Sequence, residues 1–543
     1  MKRSLKIAAL LGVILIGLSA FTGPRNKYFE ILKNLEIFSN LYKEINTYYV
    51  DDVDPGQLMR TGIDAMVESL DPFTNYISES QIEGYRYMTE GKYNGIGAVS
   101  EKMGDYVTIT ELYENQAADK AGLKPGDKII AVDGKDAVDR DPEALNNILR
   151  GFPGTEVELT IRRPGRDGDF TITLERTEVK VPNVPYHGMI SDDIGYVALT
   201  TFTREAGKNV ANAVKTLKQE NPGLKGIVFD LRGNGGGLLS EAVNVSNVFI
   251  PRNEVVVTTK GKVEDWDRSF STMGEPVDQE IPLVVLINKN SASASEIVSG
   301  VMQDYDRGVL IGQRSYGKGL VQNTRDIGYN SKLKLTTAKY YIPSGRCIQS
   351  VEYEDGEPVD IADDRRTPFK TRNGRTVLDG GGVKPDMMVK KFTDGGIVKS
   401  LLDQHLIFDY VTRYSLGKDS IENVEDFRFT QFDDFVAFLQ EQSFEYDTDS
   451  EKLLKKLQQT SEKEGYELDE ELTELEAEIE SHKKDALQQN REVIIDLIEK
   501  EIASRYYYQR GKIKMGLRND KEVEEAIELL HDTAQYNSIL AGQ

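Results

Sequence analysis

Cysteine is almost absent: Cys347 is the only one in 543 residues, which excludes an intramolecular disulfide without excluding an oxidising compartment. Histidine is nearly as scarce, and His187, His405, His482 and His531 are scattered without ligand spacing, so no metal site is expected from them. Basic charge is short as well. Against 90 Asp and Glu stand 67 Lys and Arg, a net charge of −23 and a pI near 4.9, and no basic patch offsets the acidic total, which argues against nucleic acid as a partner. The N-terminal apolar run from Ile7 to Phe21 stops at 15 residues, short of the roughly 20 that a bilayer-spanning helix uses.

What is present at that end is the layout of a bacterial export signal: Lys2, Arg3 and Lys6, the apolar run, then Thr22-Gly23-Pro24. The expected location is therefore the bacterial cell envelope, on the periplasmic side. Leu18-Ser19-Ala20-Phe21 offers only a weak small-x-small cleavage site, so two readings stay open, a leader that is removed and a membrane anchor at residues 7–21. A lipoprotein anchor is excluded, because the segment has no cysteine. Length and a hydrophobic content of 39% fit three or four folded units.

The chemistry centres on Ser293, within Ser291-Ala292-Ser293-Ala294-Ser295-Glu296, and Lys318, within Gly317-Lys318-Gly319. A serine hydroxyl needs a base to become a nucleophile, and a lysine serves once burial lowers its pKa. Ile281 to Ile287 reads as a buried parallel strand, and Ile297, Val298, Val301 and Met302 recur at helical spacing. Ser293 then falls at a strand-to-helix turn, where the Ala294 N–H is free to face an anion. Ser293-x-x-Glu296 is equally a capping box, and a lone lysine is most often a solvated surface charge.

A second strand, Lys225 to Leu231, runs into Arg232-Gly233-Asn234-Gly235-Gly236-Gly237 and a helix with Leu238, Ala242, Val245 and Phe249 on one face. Glycines let a backbone N–H approach a ligand closely, although a flexible turn reads the same way. Two nucleotide motifs fail. Gly233-x-Gly235 lacks the third glycine of a dinucleotide fingerprint, which would fall at Leu238. Gly312-x-x-x-x-Gly317-Lys318 is followed by Gly319 where a P-loop has Ser or Thr, and by alternating, strand-like residues (Leu333, Leu335, Thr337, Lys339, Tyr341) where it has a helix.

Taken in order, the Asp230 to Gly237 and Ser291 to Glu296 segments, Gly317-Lys318-Gly319-x-Val321-Gln322 and Tyr340-Tyr341-Ile342-Pro343-Ser344-Gly345-Arg346 resemble the successive motifs of the carboxyl-terminal processing peptidases. The resemblance covers roughly residues 40 to 392, with Ser69-Leu70-Asp71-Pro72 near its start and Gly382-Val383-Lys384-Pro385-Asp386 near its end. It implies Ser293 as nucleophile, Lys318 as general base and Gln322 orienting the lysine. Oxyanion donors would be the N–H of Ala294 and of a glycine at Gly236 or Gly237. The implied fold is an α+β multidomain chain: an α/β protease core of the ClpP/crotonase-like type with an inserted PDZ domain, flanked by helical regions. No cofactor and no metal are implied.

Residues 92–178 resemble that PDZ module, through Gly95-Ile96-Gly97-Ala98 and the turn Gly122-Leu123-Lys124-Pro125-Gly126-Asp127 leading into Ile129 to Gly134. Such a module adds a peptide's C-terminal strand to a sheet edge and holds its carboxylate on backbone N–H groups. Gly95, Ile96, Gly97 and Ala98 are the expected peptide-binding residues, and Leu145, Ile148 and Leu149 lie either beside the groove or in the core. Val179 to Pro185, with Pro182 and Pro185, is expected to be a stiff connector.

The expected organisation is a leader or anchor at 1–25, an N-terminal helical region at 26–91, the PDZ-like segment at 92–178, the Ser-Lys core at 179–392 and an acidic helical region at 393–543. In the last region Leu453, Leu454, Leu457, Leu468, Leu472, Leu475 and Ile479, then Val493, Ile494, Leu497 and Ile498, recur at helical spacing. It reads as a helical bundle packed on the core, or as a surface for self-association or an adaptor. Two function classes follow: an envelope endopeptidase acting on proteins with apolar C-terminal tails, and a catalytically silent PDZ scaffold that keeps the protease fold.

Overall fold

The computed structural model describes residues 25–140, 148–349, 353–354, 357–358, 362–390, 396–466 and 468–542. The leader, with Lys2, Arg3, Lys6 and Ile7 to Phe21, and Leu145 lie outside the described residues. The chain divides into two compact units, residues 1–76 with 324–336, and residues 77–323 with 337–543.

The first unit holds α1 (Arg25–Tyr48) and α2 (Pro55–Glu68). Helix α2 starts at Asp54, whose carboxylate accepts the Gln57 N–H, with Pro55 preset for the first turn. The Tyr42 hydroxyl donates to Pro55 O at 2.7 Å, while Tyr28, Ile31, Leu32 and Leu35 of α1 stay exposed. Asp71, in the motif near the start of the resemblance, accepts the Phe73 and Thr74 N–H groups at 2.8 and 2.9 Å.

The second unit opens with α3 (Ile82–Glu90). This helix was expected with the N-terminal region, yet the Arg204 N–H donates to Thr89 O and Arg86 pairs with Glu178. Among the described residues seven strands of four or more residues follow, β1 (Lys92–Gly95), β2 (Ala98–Met103), β3 (Tyr106–Leu112), β4 (Lys128–Val132), β5 (Glu156–Arg162), β6 (Phe170–Glu175) and β7 (Thr177–Lys180), with the two-residue strand Lys135–Asp136 paired to β4. β2 to β6 form an antiparallel sheet in that order, with β2 at its edge, and β1 pairs with β7. Val179 and Lys180, expected in the connector, are therefore strand residues in a two-stranded stem, with Tyr93 opposite Val179. Alternating Val157, Leu159 and Ile161 fill the core under the sheet, and Leu149 is buried with them. Fully buried Asp127 holds the turn, accepting the Lys124 N–H at 2.8 Å and pairing with Arg163 at 2.6 Å.

The core then runs β8 (Tyr186–Met189), β9 (Ile194–Ala198), α4 (Ala206–Glu220), β10 (Gly226–Asp230), α5 (Leu239–Phe249), β11 (Val255–Gly261), β12 (Leu283–Ile287), α6 (Ala294–Asp304), β13 (Val309–Gly312), β14 (Leu320–Gly328), β15 (Ser331–Tyr341) and β16 (Met387–Met388). Its sheet has the order β8-β9-β10-β12-β13-β16, antiparallel at the first pair and parallel after it. The unbroken apolar runs of β10 and β12 follow from burial on both faces. Phe229 and Val285 face α4, α5 and α6 on one side, and Val228, Val284 and Leu286 face the other.

Among the described residues eight helices of two turns or more follow, α7 (Gly396–Asp403), α8 (Leu406–Tyr414), α9 (Phe432–Glu441), α10 (Asp449–Glu464), α11 (Asp469–Lys484), α12 (Arg491–Gly516), α13 (Lys521–His531) and α14 (Thr533–Ala541), with one short helix, Ala486–Gln489, between α11 and α12. Tyr410, Phe435, Phe438, Ile498 and Ile502 give α7, α8, α9 and α12 a core of their own. Helix α12 bends at Tyr508 (φ 54°), whose hydroxyl donates to Asp119 of the PDZ-like segment at 2.8 Å. Helices α13 and α14 do something else: Val523, Ala526, Leu529, Leu530 and Tyr536 cover the second face of the core sheet. Among the described residues no helix is long and apolar enough to cross a membrane.

Candidate active site

Strand β12 ends at Ile287 and helix α6 starts at Ala294, so Ser293 stands at the strand-to-helix turn that the apolar pattern predicts. Its backbone is strained, with φ 57° and ψ −112°, a conformation that costs a non-glycine residue about 1–3 kcal/mol. The strain is held from both sides. Ser295 N–H closes a β-turn onto Ala292 O at 3.1 Å, which puts Ser293 at the position where a type II′ turn needs positive φ. The Ser293 N–H then donates to the Glu296 carboxylate at 2.8 Å.

Glu296 is fully buried and does far more than cap α6. One of its oxygens accepts the Ser293 N–H and, at 3.0 Å, the Lys318 N–H. The other accepts the Ser315 hydroxyl at 2.7 Å and the Gly317 N–H at 2.6 Å. Burial pushes its carboxyl up from the ordinary range, against the pull of these donors. The half-buried Ser293 and Lys318 are thus brought to one carboxylate across 25 residues of chain. Tyr340, fully buried with its hydroxyl raised by desolvation, sits over the same group and donates to Ser293 O at 3.3 Å. Gln322 lies half-buried on β14, on the same strand face as Leu320.

The glycine-rich segment packs directly on this turn. A Cβ on Gly236 would stand 2.7 Å from Ala292 O, 2.8 Å from Ser293 Cβ and 2.9 Å from Ala294 N, so only glycine allows the approach. Asn234, with no exposed surface, pins the segment: its side chain donates to Leu199 O at 2.8 Å and accepts the Gly236 N–H at 2.9 Å. Gly236 N–H is therefore turned away from a ligand, because Asn234 Oδ1 holds it. The N–H groups of Gly237 and Ala294 have no hydrogen-bond acceptor among the described residues. Ser291 and Ser295, both fully buried, donate to Leu231 O and Asn234 O at 2.8 and 2.7 Å, stitching the two segments together.

In the PDZ-like segment, Gly95 ends β1, Ile96 is buried, Gly97 has φ +81° and Ala98 begins the edge strand β2. Ile96 O and Gly97 O accept the Ala118 and Tyr113 N–H groups at 2.8 and 3.0 Å. The Tyr93 hydroxyl lies at this loop, donating to Ala98 O at 3.4 Å, with Arg150 over its ring. Neither Tyr93 nor Arg150 stood out in the sequence, and nor did Asn234; a polar residue between glycines was the only available signal for the last.

A serine on a strained strand-to-helix turn, faced by a glycine loop and preceded by a PDZ-like sheet, defines a PDZ-bearing serine peptidase. Family models agree: residues 193–357 match peptidase family S41, residues 108–163 match the PDZ domain, and residues 397–530 match the C-terminal helical domain of a probable PDZ-protease. A carboxy-terminal-processing protease of Bartonella bacilliformis is 35% identical over 366 residues, covering 67% of this chain and 83% of that one. A probable CtpA-like serine protease of Staphylococcus saprophyticus is 34% identical over 61% of this chain and 66% of its own length. Among solved structures, a photosystem II D1 C-terminal processing protease aligns at 27% identity over 65% of this chain and 92% of its own, with a TM-score of 0.36. The chain belongs to the carboxy-terminal-processing protease family, and its architecture is an S41 protease domain with a PDZ domain and a C-terminal helical domain.

Proposed function

We propose that this serine peptidase is a Ser-Lys endopeptidase of the bacterial envelope that selects substrates by their C-terminal tails. Lys318 takes the proton of Ser293, the alkoxide attacks a peptide carbonyl, and the oxyanion is received by the N–H groups of Ala294 and Gly237. The protonated lysine returns its proton to the leaving amine, and water then hydrolyses the acyl-enzyme, with Gln322 orienting the lysine. The observation that carries the reading is the sharing of one Glu296 oxygen by the Ser293 and Lys318 N–H groups, with Gly236 pressed against Ser293.

Tail recognition is supported by the open edge of β2 and the loop at Gly95, Ile96, Gly97 and Ala98, where a peptide strand and its carboxylate would add. A gating role for the PDZ domain is supported by the chain that follows its stem: Thr200 N–H donates to Asn183 O, Phe202 N–H to Gly236 O, and Leu238 N–H to Phe202 O. The stem is thus tied to the glycine-rich loop. Envelope location rests on the basic and apolar leader, and the exposed apolar stripe of α1 supports self-association.

The test is cleavage of an unfolded protein with an apolar C-terminus by the full chain, Ser293→Ala and Lys318→Ala, with the substrate tail free or amidated. Both variants should be inactive, and amidation should weaken cleavage, since the loop loses a charged acceptor. No cleavage by the unsubstituted chain, with free tails still bound, would support the silent-scaffold alternative, and wild-type cleavage by Ser293→Ala would sink the Ser-Lys assignment.

A further inference from the structure

Arg232, which opens the glycine-rich loop, has a carboxylate partner at each of its three guanidinium nitrogens. Nε and Nη2 bond Asp230 at 3.0 and 2.6 Å, Nη2 reaches Asp520 at 2.8 Å, and Nη1 bonds Asp520 at 3.0 Å and Glu522 at 2.5 Å. Two of these three acids come from the segment that opens α13, 288 and 290 residues further along the chain. With 16% of its side chain exposed, Arg232 has little water to turn to, and a planar fork bound at every corner has one orientation.

That orientation is set by the tail. Asp520 is fixed as the cap of α13, accepting the Glu522 and Val523 N–H groups at 3.0 and 3.2 Å. Helix α13 is fixed in turn by Val523, Ala526, Leu529 and Leu530 against the core sheet. The loop's other ties come from core segments beside it, among them Asn288 to Gly233 N–H at 3.0 Å and Ala292 N–H to Asn234 O at 3.0 Å. Arg232 is where a distant part of the chain grips the loop that carries Gly236 and Gly237.

We propose that Asp520 and Glu522 are positioning residues for the reaction: acting through Arg232, they hold the oxyanion loop in register with Ser293, so the segment that opens α13 supports catalysis from a distance. This rests on the Ser-Lys reading above. The acids touch no substrate, and their loss should weaken binding of the tetrahedral oxyanion and leave ground-state peptide binding alone.

The experiment uses the full-length chain with Asp520→Asn, which keeps a good capping residue, and Glu522→Gln. A peptide substrate gives kcat and KM, and a peptide boronic acid, which forms a tetrahedral adduct on serine, reports the oxyanion site. The expected result is a fall in kcat of about 10- to 100-fold, KM within about threefold, and an equal loss of boronate affinity, as for a donor displaced from its place. Tyr536→Phe is the control. It removes the bonds between Tyr536 and Leu283 on the same sheet face, at 2.9 and 3.2 Å, without touching Arg232, and should keep kcat. Wild-type kcat in both acid variants overturns the inference, and so does an equal loss in Tyr536→Phe, or a loss matched by unfolded protein with unchanged boronate affinity per active site. If Glu522→Gln does not fold, Asp520→Asn decides on the same readouts. Ser293→Ala separates the two levels: cleavage retained there sinks the catalytic reading, whereas an inactive Ser293→Ala beside wild-type acid variants sinks only the role of the tail.

Discussion

Replacing Glu296 by Gln asks whether one carboxylate holds the Ser293 turn together. Glutamine keeps one acceptor oxygen and sets an NH2 where the other stood. In the cheaper orientation the NH2 faces Gly317 N–H and Ser315, whose hydroxyl can rotate to accept, while the oxygen keeps the Ser293 and Lys318 N–H groups. One buried N–H is then unpaired, at about 1–3 kcal/mol, and two charge-assisted bonds become neutral, at about 1 kcal/mol each. Relief of a fully buried charge, whose carboxyl is already pushed up by desolvation, returns part of this, leaving a local loss of about 2–3 kcal/mol. Hydrogen exchange of peptides spanning 291–304 and 315–323 should therefore quicken about 30- to 150-fold, with kcat down at least about tenfold. Wild-type exchange in both peptides together with wild-type kcat would refute the assignment of Glu296 as the shared anchor.

Gly236→Ala should abolish cleavage in a folded protein, since the new methyl meets Ala292 O, Ser293 and Ala294 within 3 Å at φ +100°; acylation of Ser293 by an activated peptide ester is the readout, and normal acylation contradicts the packing. Ser291→Ala and Ser295→Ala should each cost about 1 kcal/mol of stability and keep most of the cleavage, measured by thermal melts and peptide turnover, and a loss as deep as that of Ser293→Ala would contradict the nucleophile assignment. Burial pushes the Glu451 carboxyl up, but Lys483 at 2.7 Å and the Thr448 cap more than offset it and hold it at about 2. The α10/α11 contact is then fully present above the unfolded value of about 4.3 and lost as pH falls toward 2. Exchange within 449–484 should rise over that window relative to Glu451→Gln, and parallel profiles for the two proteins would rule the contact out.

The strands β10 and β12 were legible because both faces are covered, so their residues form unbroken apolar runs. Ser293 at the following turn was legible from the shift to helical spacing. The double role of Glu296 was not. A capping box is visible at a spacing of three, but the bonds to Gly317 and Lys318 arise only when β13 lies beside β12. Which glycine N–H faces a ligand was hidden for a similar reason, since it depends on where the Asn234 amide turns. Leu453, Leu457 and Leu475 announced helices correctly yet remain exposed, because periodicity specifies a face and says nothing about what meets it. The grip of Asp520 and Glu522 on Arg232 has no local signal at all.

Helices α13 and α14 also impose an order on synthesis. A chain made from its N-terminus presents Ser293 and Lys318 to the ribosome exit long before residues 521–541 exist. Through that interval Val228, Val284, Leu286 and Ile311 have no cover, and a sheet with one bare face is not a working scaffold. The nascent polypeptide thus carries Ser293 and Lys318 in an unassembled state, and the core sheet gains its second cover only once residues 521–541 have been made.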